Sequence, residues 1–550
     1  MDALQRLVEA DAVNRLNGRD ASLYSEAFDG RMSIVQRMGW TDLATKASGR
    51  LPLLENLAKA IVDEGADDLV LLGMGGSSLA PLVLSRVIGS APRMPRMHVL
   101  DTTSPLAVKQ LFDTLDPNRT FFILASKSGT TLEPLSLYAI FRQWMEAAMP
   151  RPAAGRRFII ITDPGSPLEK LRQRELMRVT LSAPATVGGR YSALSMFGLA
   201  PAALIGIDVP TLIERAAVME EACKTPAGQN PGALLAAWMT DRYEAQQDKL
   251  TLVCSPALRS FGLWIEQLVA ESLGKGGTGI VPVVEQGIST PTGYGPDRAV
   301  VVIRYADDED LRAWSKNVAM DSPVFELVLP DSCDIGVEFL RWEYAVALTG
   351  FLMGVNPFDE PNVTEAKKAT AAILAGELSA PRASADLGGT WVTYTSGMAQ
   401  PTTEPTERIE VLRALFDTLQ PGDYLAALAY LPEDETLLMP LRTATKRIAD
   451  ATGVPVCLEL GPRYLHSTGQ LHKGGPNTGV FLVITTRDRT DYEIPKQNCQ
   501  LAALHRAQAE GDIVTLAAHE RRVLRIDLPN ASSHEIASLA ADLATAAGTS

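Results

Sequence analysis

Two turns early in this 550-residue chain combine glycines, hydroxyls and a following helical segment, the residue types that hold an anionic or sugar-like ligand. The first lies in "LVLLGMGGSSLAPL", residues 69–82. Gly73 and Gly75 match the first two glycines of the dinucleotide fingerprint G-x-G-x-x-G, but Ser78 stands at the third. Asp101 ends the next predicted strand, where a ribose-binding acid would stand. Three readings of the turn stay open. It could hold a dinucleotide. It could be a tight strand-to-helix turn whose glycines supply positive φ. It could be a sugar or phosphate cradle, in which Gly76 admits a close approach and the Ser77 hydroxyl bonds a ligand oxygen.

The second turn, "ASKSGTTLEP" at 125–134, sets Ser126, Lys127, Ser128, Thr130 and Thr131 between an apolar run and a helical pattern. Hydroxyls and free N–H groups at a helix N-terminus suit a phosphate dianion, because the helix dipole points there. A helix cap with polar turn residues would show some of the same composition. Four hydroxyls and a lysine together favour the phosphate. No Walker A motif occurs, either here or at "LGKGGTG".

The elements that must position these turns follow from the hydrophobic pattern. Short apolar runs at 69–73, 97–101, 121–126, 158–163 and 178–182 alternate with amphipathic segments. The pattern restarts at 250–254, 279–285, 299–305 and 324–330, followed by a long helical segment at 336–354. Continuously apolar strands alternating with helices predict doubly wound parallel sheets of an α/β fold. Runs at 423–431, 454–460, 479–486 and 522–528 predict a third α/β segment. Pro- and Gly-rich joins at 224–233 and 380–405 divide the chain into residues 1–230, 231–380 and 381–550.

Composition narrows the function classes. The net charge of −14 argues against nucleic acid or an anionic membrane surface as partner. No apolar run approaches the ~20 residues of a membrane helix, and the N-terminus lacks a secretory pattern. Five scattered cysteines, with no C-x-x-C pair, predict reduced thiols in a cytoplasmic protein.

Five motifs in order carry a family resemblance: "GMGGSSLAP", "SKSGTTLEP", "GGRYSALSMFGL" (188–199), "VAESLGKGG" (269–277) and "GVNPFDEPNVTEAKK" (354–368). Together they resemble the glucose-6-phosphate isomerases (phosphoglucose isomerases), built from two sugar-isomerase (SIS) domains. "HSTGQLHKGGPNTGVFLVIT" (466–485) and "GDIVTLAAHERRVLRIDL" (511–528) are similar to the isomerase half of bacterial transaldolase–isomerase fusions. The transaldolase half is expected to be missing.

The resemblance implies roles residue by residue. Gly76 and Ser77 would touch sugar and phosphate. Ser126, Ser128 and Thr131 would bind phosphate, with Lys127 contributing mainly backbone. Arg190 would steady an enediolate, Glu271 would be the catalytic base and Lys367 would assist ring opening. The chemistry of each residue agrees. Paired guanidinium donors fit a planar enediolate, and a carboxylate lifted toward neutrality by burial suits proton transfer.

Two departures stand out. The family's "FDQ" glutamine is Glu360 here. The ring-opening histidine, which many members carry before the "FD…K" motif, has its candidates after it, at His466 and His472. The "HSxGQ" context favours His466, with His472 in reserve; as a metal pair, H-x5-H without a nearby acid is poor spacing. The resemblance thus implies interconversion of glucose 6-phosphate and fructose 6-phosphate in glycolysis and gluconeogenesis, without cofactor or metal. It also implies a homodimer, whose relatives donate one histidine across the interface. A noncatalytic sugar-phosphate-binding regulator is the alternative, and a nucleotide-dependent dehydrogenase rests only on the first turn and Asp101.

Overall fold

Strands rich in Val, Ile, Leu and Phe cannot present either face to water, so they must be covered on both sides. The computed structural model describes residues 2–284, 294–379, 381–395, 397–398 and 404–548 and shows three such layers. The first sheet contains β1 (Asp68–Leu72), β2 (Arg96–Leu100), β3 (Thr120–Ala125), β4 (Phe158–Thr162) and β5 (Val179–Ser182). They are all parallel, in the order β2-β1-β3-β4-β5. The order reverses beside β1, so the turns after β1 and β3 lie together at the carboxyl edge, where open α/β sheets bind ligands.

The second sheet contains β6 (Lys249–Cys254), β7 (Val281–Val284), β8 (Arg298–Tyr305) and β9 (Val324–Leu329). It is also parallel, in the order β7-β6-β8-β9. One continuous core joins the two sheets. Leu71, Ile123 and Ile161 on one side and Leu252, Val301 and Ile303 on the other belong to the same buried cluster, which also takes in Trp264, Trp342 and Tyr344. The Pro- and Gly-rich stretch at 224–233 is part of this packing. Asn230 is wholly buried, and its side chain caps the helix Pro231–Glu244 through the Gly232 and Ala233 N–H groups at 2.9 and 3.0 Å.

The third sheet contains β10 (Ala385–Leu387), β11 (Thr390–Tyr394), β12 (Tyr424–Ala429), β13 (Val456–Leu460), β14 (Gly479–Thr486) and β15 (Arg522–Leu528). Its order is β10-β11-β15-β14-β12-β13. β12 to β15 are parallel, whereas β10 and β11 form an antiparallel hairpin on the β15 edge. That hairpin lies in the stretch expected to be a loop-rich join. Gly388 and Gly389, at φ +64° and +95°, supply the two positive-φ positions of a two-residue hairpin turn. Trp391, Val392 and Tyr394 supply the β-forming residues after it. The signal in the sequence is a glycine pair between two short polar-apolar runs, masked by the prolines around it.

The third segment is not an appendage. Ile494, Leu501 and Leu504 complete the core on the outer face of the first sheet. Phe481, Val483 and Ile513 share another cluster with Val281 and Val283 of β7. A charged connection accompanies these apolar ones. Arg463 Nε and Nη2 each lie 2.8 Å from the carboxylate oxygens of Asp101, and Nη2 lies 2.7 Å from Glu433. Asp101 is 1 % exposed, and that guanidinium is the counter-charge its buried carboxylate meets. Among the described residues, no helix is long and apolar enough to cross a membrane.

Removing one member of the buried pair should therefore cost more than removing both. Arg463→Met is expected to destabilise the protein by about 3–5 kcal/mol, read as a lowered thermal midpoint. The double variant with Asp101→Asn should recover part of the loss. An Arg463→Met midpoint equal to that of the native protein would show that the pair does not hold the segments together.

Candidate functional site

The turn after β1 is shaped by two close approaches. Gly75 adopts φ +54°, and a Cβ there would meet Gln267 and the His466 carbonyl at 3.0 Å. A Cβ on Gly76 would lie 2.1 Å from the Gly189 carbonyl and 2.9 Å from the Arg190 nitrogen. The Gly76 backbone thus fits against the "GGRYS" turn and sets where Arg190 begins. The expectation that Gly76 admits a ligand is refined by this geometry, because what it admits in the structure is the neighbouring peptide. Ser77, 9 % exposed, follows in the same turn. Ser78 Oγ donates to the Gly75 carbonyl at 3.1 Å and lies 3.4 Å from Asp101. Asp101, doubly bonded to Arg463, is committed to the interior, which removes the residue on which a ribose site would depend.

Arg190 is 4 % exposed and reaches across the cleft. Its Nε donates to Ser272 Oγ at 2.8 Å, and its Nη2 donates to the carbonyls of Pro357 and Asp359 at 2.7 and 2.9 Å. Its Nη1 faces two carboxylates, Glu360 at 3.1 Å and Glu271 at 3.5 Å. Glu271 lies near the end of the helix Arg259–Leu273, with Gln267 one turn before it. Gln267 Nε2 donates to Glu271 Oε2 at 3.1 Å and to the His466 carbonyl at 2.7 Å. Burial pushes the Glu271 carboxyl above its ordinary value. Arg190 opposes the shift and Glu360 adds to it.

Glu360, at the position of the family's glutamine, is held between Arg190 and Arg37, the latter at 3.3 Å. Burial pushes its carboxyl up, but the two guanidiniums more than offset that and keep it below its ordinary value. Lys275 fastens the same loop. Its ammonium donates to the Asn356 carbonyl at 2.7 Å and to the Asp359 carbonyl and carboxylate at 2.6 and 2.7 Å.

The turn after β3 leads into the helix Leu132–Ala148, with Thr131 at its N-cap. Ser126 Oγ lies 2.9 Å from Thr131 Oγ1 and accepts from the Gly129 N–H at 3.2 Å. Ser128 Oγ lies 2.9 Å from Thr130 Oγ1. Gly129, at φ +71°, makes this curvature attainable. The Lys127 ammonium turns away to Asp163 and to the Ala185 carbonyl, leaving its backbone in the turn.

His466 arrives from the third segment, in the short helical turn Arg463–His466 after β13. Its Nε2 lies 2.9 Å from Glu133 Oε1, in the first turn of the helix that follows the hydroxyl-rich loop. Gln508 Nε2 donates to that same oxygen at 2.8 Å. Burial pushes the Glu133 carboxyl up, but His466, with Lys367 among the lesser causes, holds it below its ordinary value. Lys367, on the exposed side of the helix Val363–Leu374, is thereby placed within electrostatic reach of the pair. His472 goes elsewhere. It is 1 % exposed, packs its ring 4.9 Å from Phe481 and pairs with Glu459 at 3.4 Å.

The structure thus brings Arg190, Glu271 and His466 to one cleft beside both turns, within a single chain. Sequence reasoning does not single out Glu133, Gln267 or Arg37. Glu133 is visible as an acid in the first helical turn beyond the hydroxyls, and Gln267 as the residue one turn before Glu271. Arg37 carries no signal, because it lies in a loop of the N-terminal region far from any motif.

Comparison with known proteins points to the same family as the sequence motifs. The family model described as phosphoglucose isomerase matches residues 58–293. A glucose-6-phosphate isomerase of Rubrobacter xylanophilus is 29% identical over 364 residues, covering 57% of this chain and 84% of that protein. A probable glucose-6-phosphate isomerase of Methanococcus maripaludis is 28% identical, covering 56% and 79%. Among solved structures, a hypothetical protein from Thermus thermophilus has a TM-score of 0.58 at 25% identity, covering 68% of this chain and 97% of its own. A glucose-6-phosphate isomerase from Chlamydia trachomatis shares the fold at a TM-score of 0.53 and 20% identity, covering 66% and 78%.

The Gly76 approach can be tested directly. Gly76→Ala should separate the two turns and cost about 1–3 kcal/mol, lowering the thermal midpoint. Gly228→Ala, where a Cβ meets nothing within 4 Å, is the control. Equal midpoints for the two variants would refute the close packing of the turns.

Proposed function

We propose that this chain, which belongs to the phosphoglucose isomerase family, interconverts glucose 6-phosphate and fructose 6-phosphate through an enediol. The reading rests on the approach of the buried Glu271 carboxylate to the Arg190 guanidinium, with the His466–Glu133 pair joined to them through Gln267. Ser126, Ser128 and Thr131, with the free N–H groups of their helix, receive the phosphate. Ser77 bonds the sugar from the other turn. Glu133 accepts from His466 Nε2 and so leaves Nδ1 to exchange a proton with the ring oxygen, assisted by the nearby Lys367 charge.

In the opened sugar, Glu271 removes the proton at C2 and returns it at C1, while the hydroxyl proton on O2 passes to O1, so that the aldehyde becomes a hydroxymethyl group and C2 a carbonyl. Charge developing on the two oxygens is met by the Arg190 guanidinium, fixed in advance by Ser272 and the 357–359 carbonyls. Because burial raises the Glu271 carboxyl, the protonated carboxyl is a weaker acid and its conjugate base takes a carbon-bound proton more readily. No observation favours the noncatalytic regulator. None of the five cysteines forms a disulfide, as expected of thiols kept reduced. We also propose the homodimer common to the family; here the histidine comes from the same chain as the base.

Purified protein incubated with fructose 6-phosphate and EDTA should form glucose 6-phosphate. Folded protein without turnover would sink the assignment. Glu271→Gln should lower kcat by roughly 10²–10⁴-fold, with the thermal midpoint retained. The pH profile gives a finer test. The base works when deprotonated, so activity rises with pH through the elevated Glu271 value. Glu360 pushes that value up, so Glu360→Gln should move the acid limb of kcat to lower pH. Using one substrate for both proteins cancels the substrate's own titration. A limb that stays in place, or moves up, would show that Glu360 does not act on the base.

A further inference from the structure

Outside the catalytic cleft, a cavity lies between the helix Arg259–Leu273 of the second sheet and the helix Glu435–Thr452 of the third segment. Its volume is about 720 Å³, within the range of small-molecule sites. Arg190, Glu271 and His466 are not among its described walls. Arg463, Tyr464 and Ser467 are, so the turn that carries His466 faces the cleft with its histidine and this cavity with its neighbours.

The charges on its walls are unevenly satisfied. Glu433 is taken by Arg86 at 2.8 Å and by Arg463 at 2.7 Å, and Glu435 by Arg442 at 2.5 Å. Arg298 is different. It is 4 % exposed, its Nη1 donates to Thr251 Oγ1 at 2.8 Å, and its Nε has no partner among the described residues. Its guanidinium also lies over the Tyr294 ring, 5.6 Å from the centroid, which supplies no counter-charge. Among the described residues neither Arg298 nor the exposed Arg259 on the rim pairs with a carboxylate. A buried cation that meets no carboxylate among the described residues favours an anion beside it.

We propose that this cavity is a second ligand site, for a small molecule carrying an oxyanion group that Arg298 and Arg259 receive. Glu266 lies on the same wall; burial and the neighbouring Glu459 push its carboxyl well above the ordinary range, only partly offset by Arg463, which lessens its repulsion of an anion. Leu263, Val456 and Leu458 provide an apolar wall for the rest of the molecule. A ligand there would touch Ser467, next to His466, and so bears on the catalytic histidine.

Calorimetric titration of the full chain with pyrophosphate tests this. Two classes of site are expected, one at the hydroxyl-rich turn and one in the cavity. Ser128→Ala should weaken only the first. Arg298→Met should weaken only the second, by about tenfold or more, the loss of a hydrogen bond to a charged group. If Arg298→Met does not fold, Arg259→Glu on the exposed rim should weaken the same class. Citrate in place of pyrophosphate separates a carboxylate from a phosphate ligand, and retention of the Arg298-dependent class by either supports the site. A single class abolished by Ser128→Ala, or a second class indifferent to Arg298 and Arg259, would overturn it.

Discussion

The buried guanidinium of Arg190 is the interaction on which the cleft depends. It sits where four separate pieces of chain converge: its own turn, the turn after β1, the end of the helix that carries Glu271, and the loop at 354–360. Each donor is assigned, to Ser272, to two backbone carbonyls and to two carboxylates. A cation removed from water needs such a set of partners, and the set fixes it in one geometry. The glycines on either side serve this placement. Gly76 has no side chain because the Gly189 carbonyl occupies the space.

The replacement of the family's glutamine by Glu360 fits the same arrangement. A carboxylate added beside Glu271 would leave two negative charges competing for one guanidinium. Arg37 supplies the second cation, from a stretch whose backbone also holds the turn that leads into Arg190. The pair of acids and pair of arginines form a four-membered array in which Glu271 stays raised while Glu360 is lowered. Opposite shifts in adjacent carboxyls are how one site keeps a base and a fixed anion side by side.

Much of this was legible in the sequence. The strands of the two parallel sheets, and β12 to β15 of the third, coincide with the runs read from hydrophobicity; inner strands such as β1, β3 and β12, covered on both faces, leave the unbroken apolar signature, while the edge strands β2, β9 and β13 are only partly covered. The hairpin of β10 and β11 was hidden among prolines and hydroxyls, where its short strands leave no such run. Arg190, Glu271 and the hydroxyl-rich turn were legible through motifs. Glu133 lay inside a quoted motif and Gln267 just before another, yet their importance depends on which way a side chain faces on its helix. Arg37 and the Asp101–Arg463 pair were out of reach, since pairings between residues hundreds of positions apart leave no local pattern.

Asp101 and Arg463 are 362 positions apart, and this has a consequence for how the molecule is made. The first sheet can be complete on an emerging chain long before Arg463 exists. Until then the carboxylate at the end of β2 lacks this counter-charge and must stay in contact with water. The carboxyl edge of that sheet, which is also the floor of the cleft, therefore closes only when the last third of the chain has been synthesised and docked. His466 comes with the same turn as the counter-charge, so docking of that turn brings both to the cleft at once.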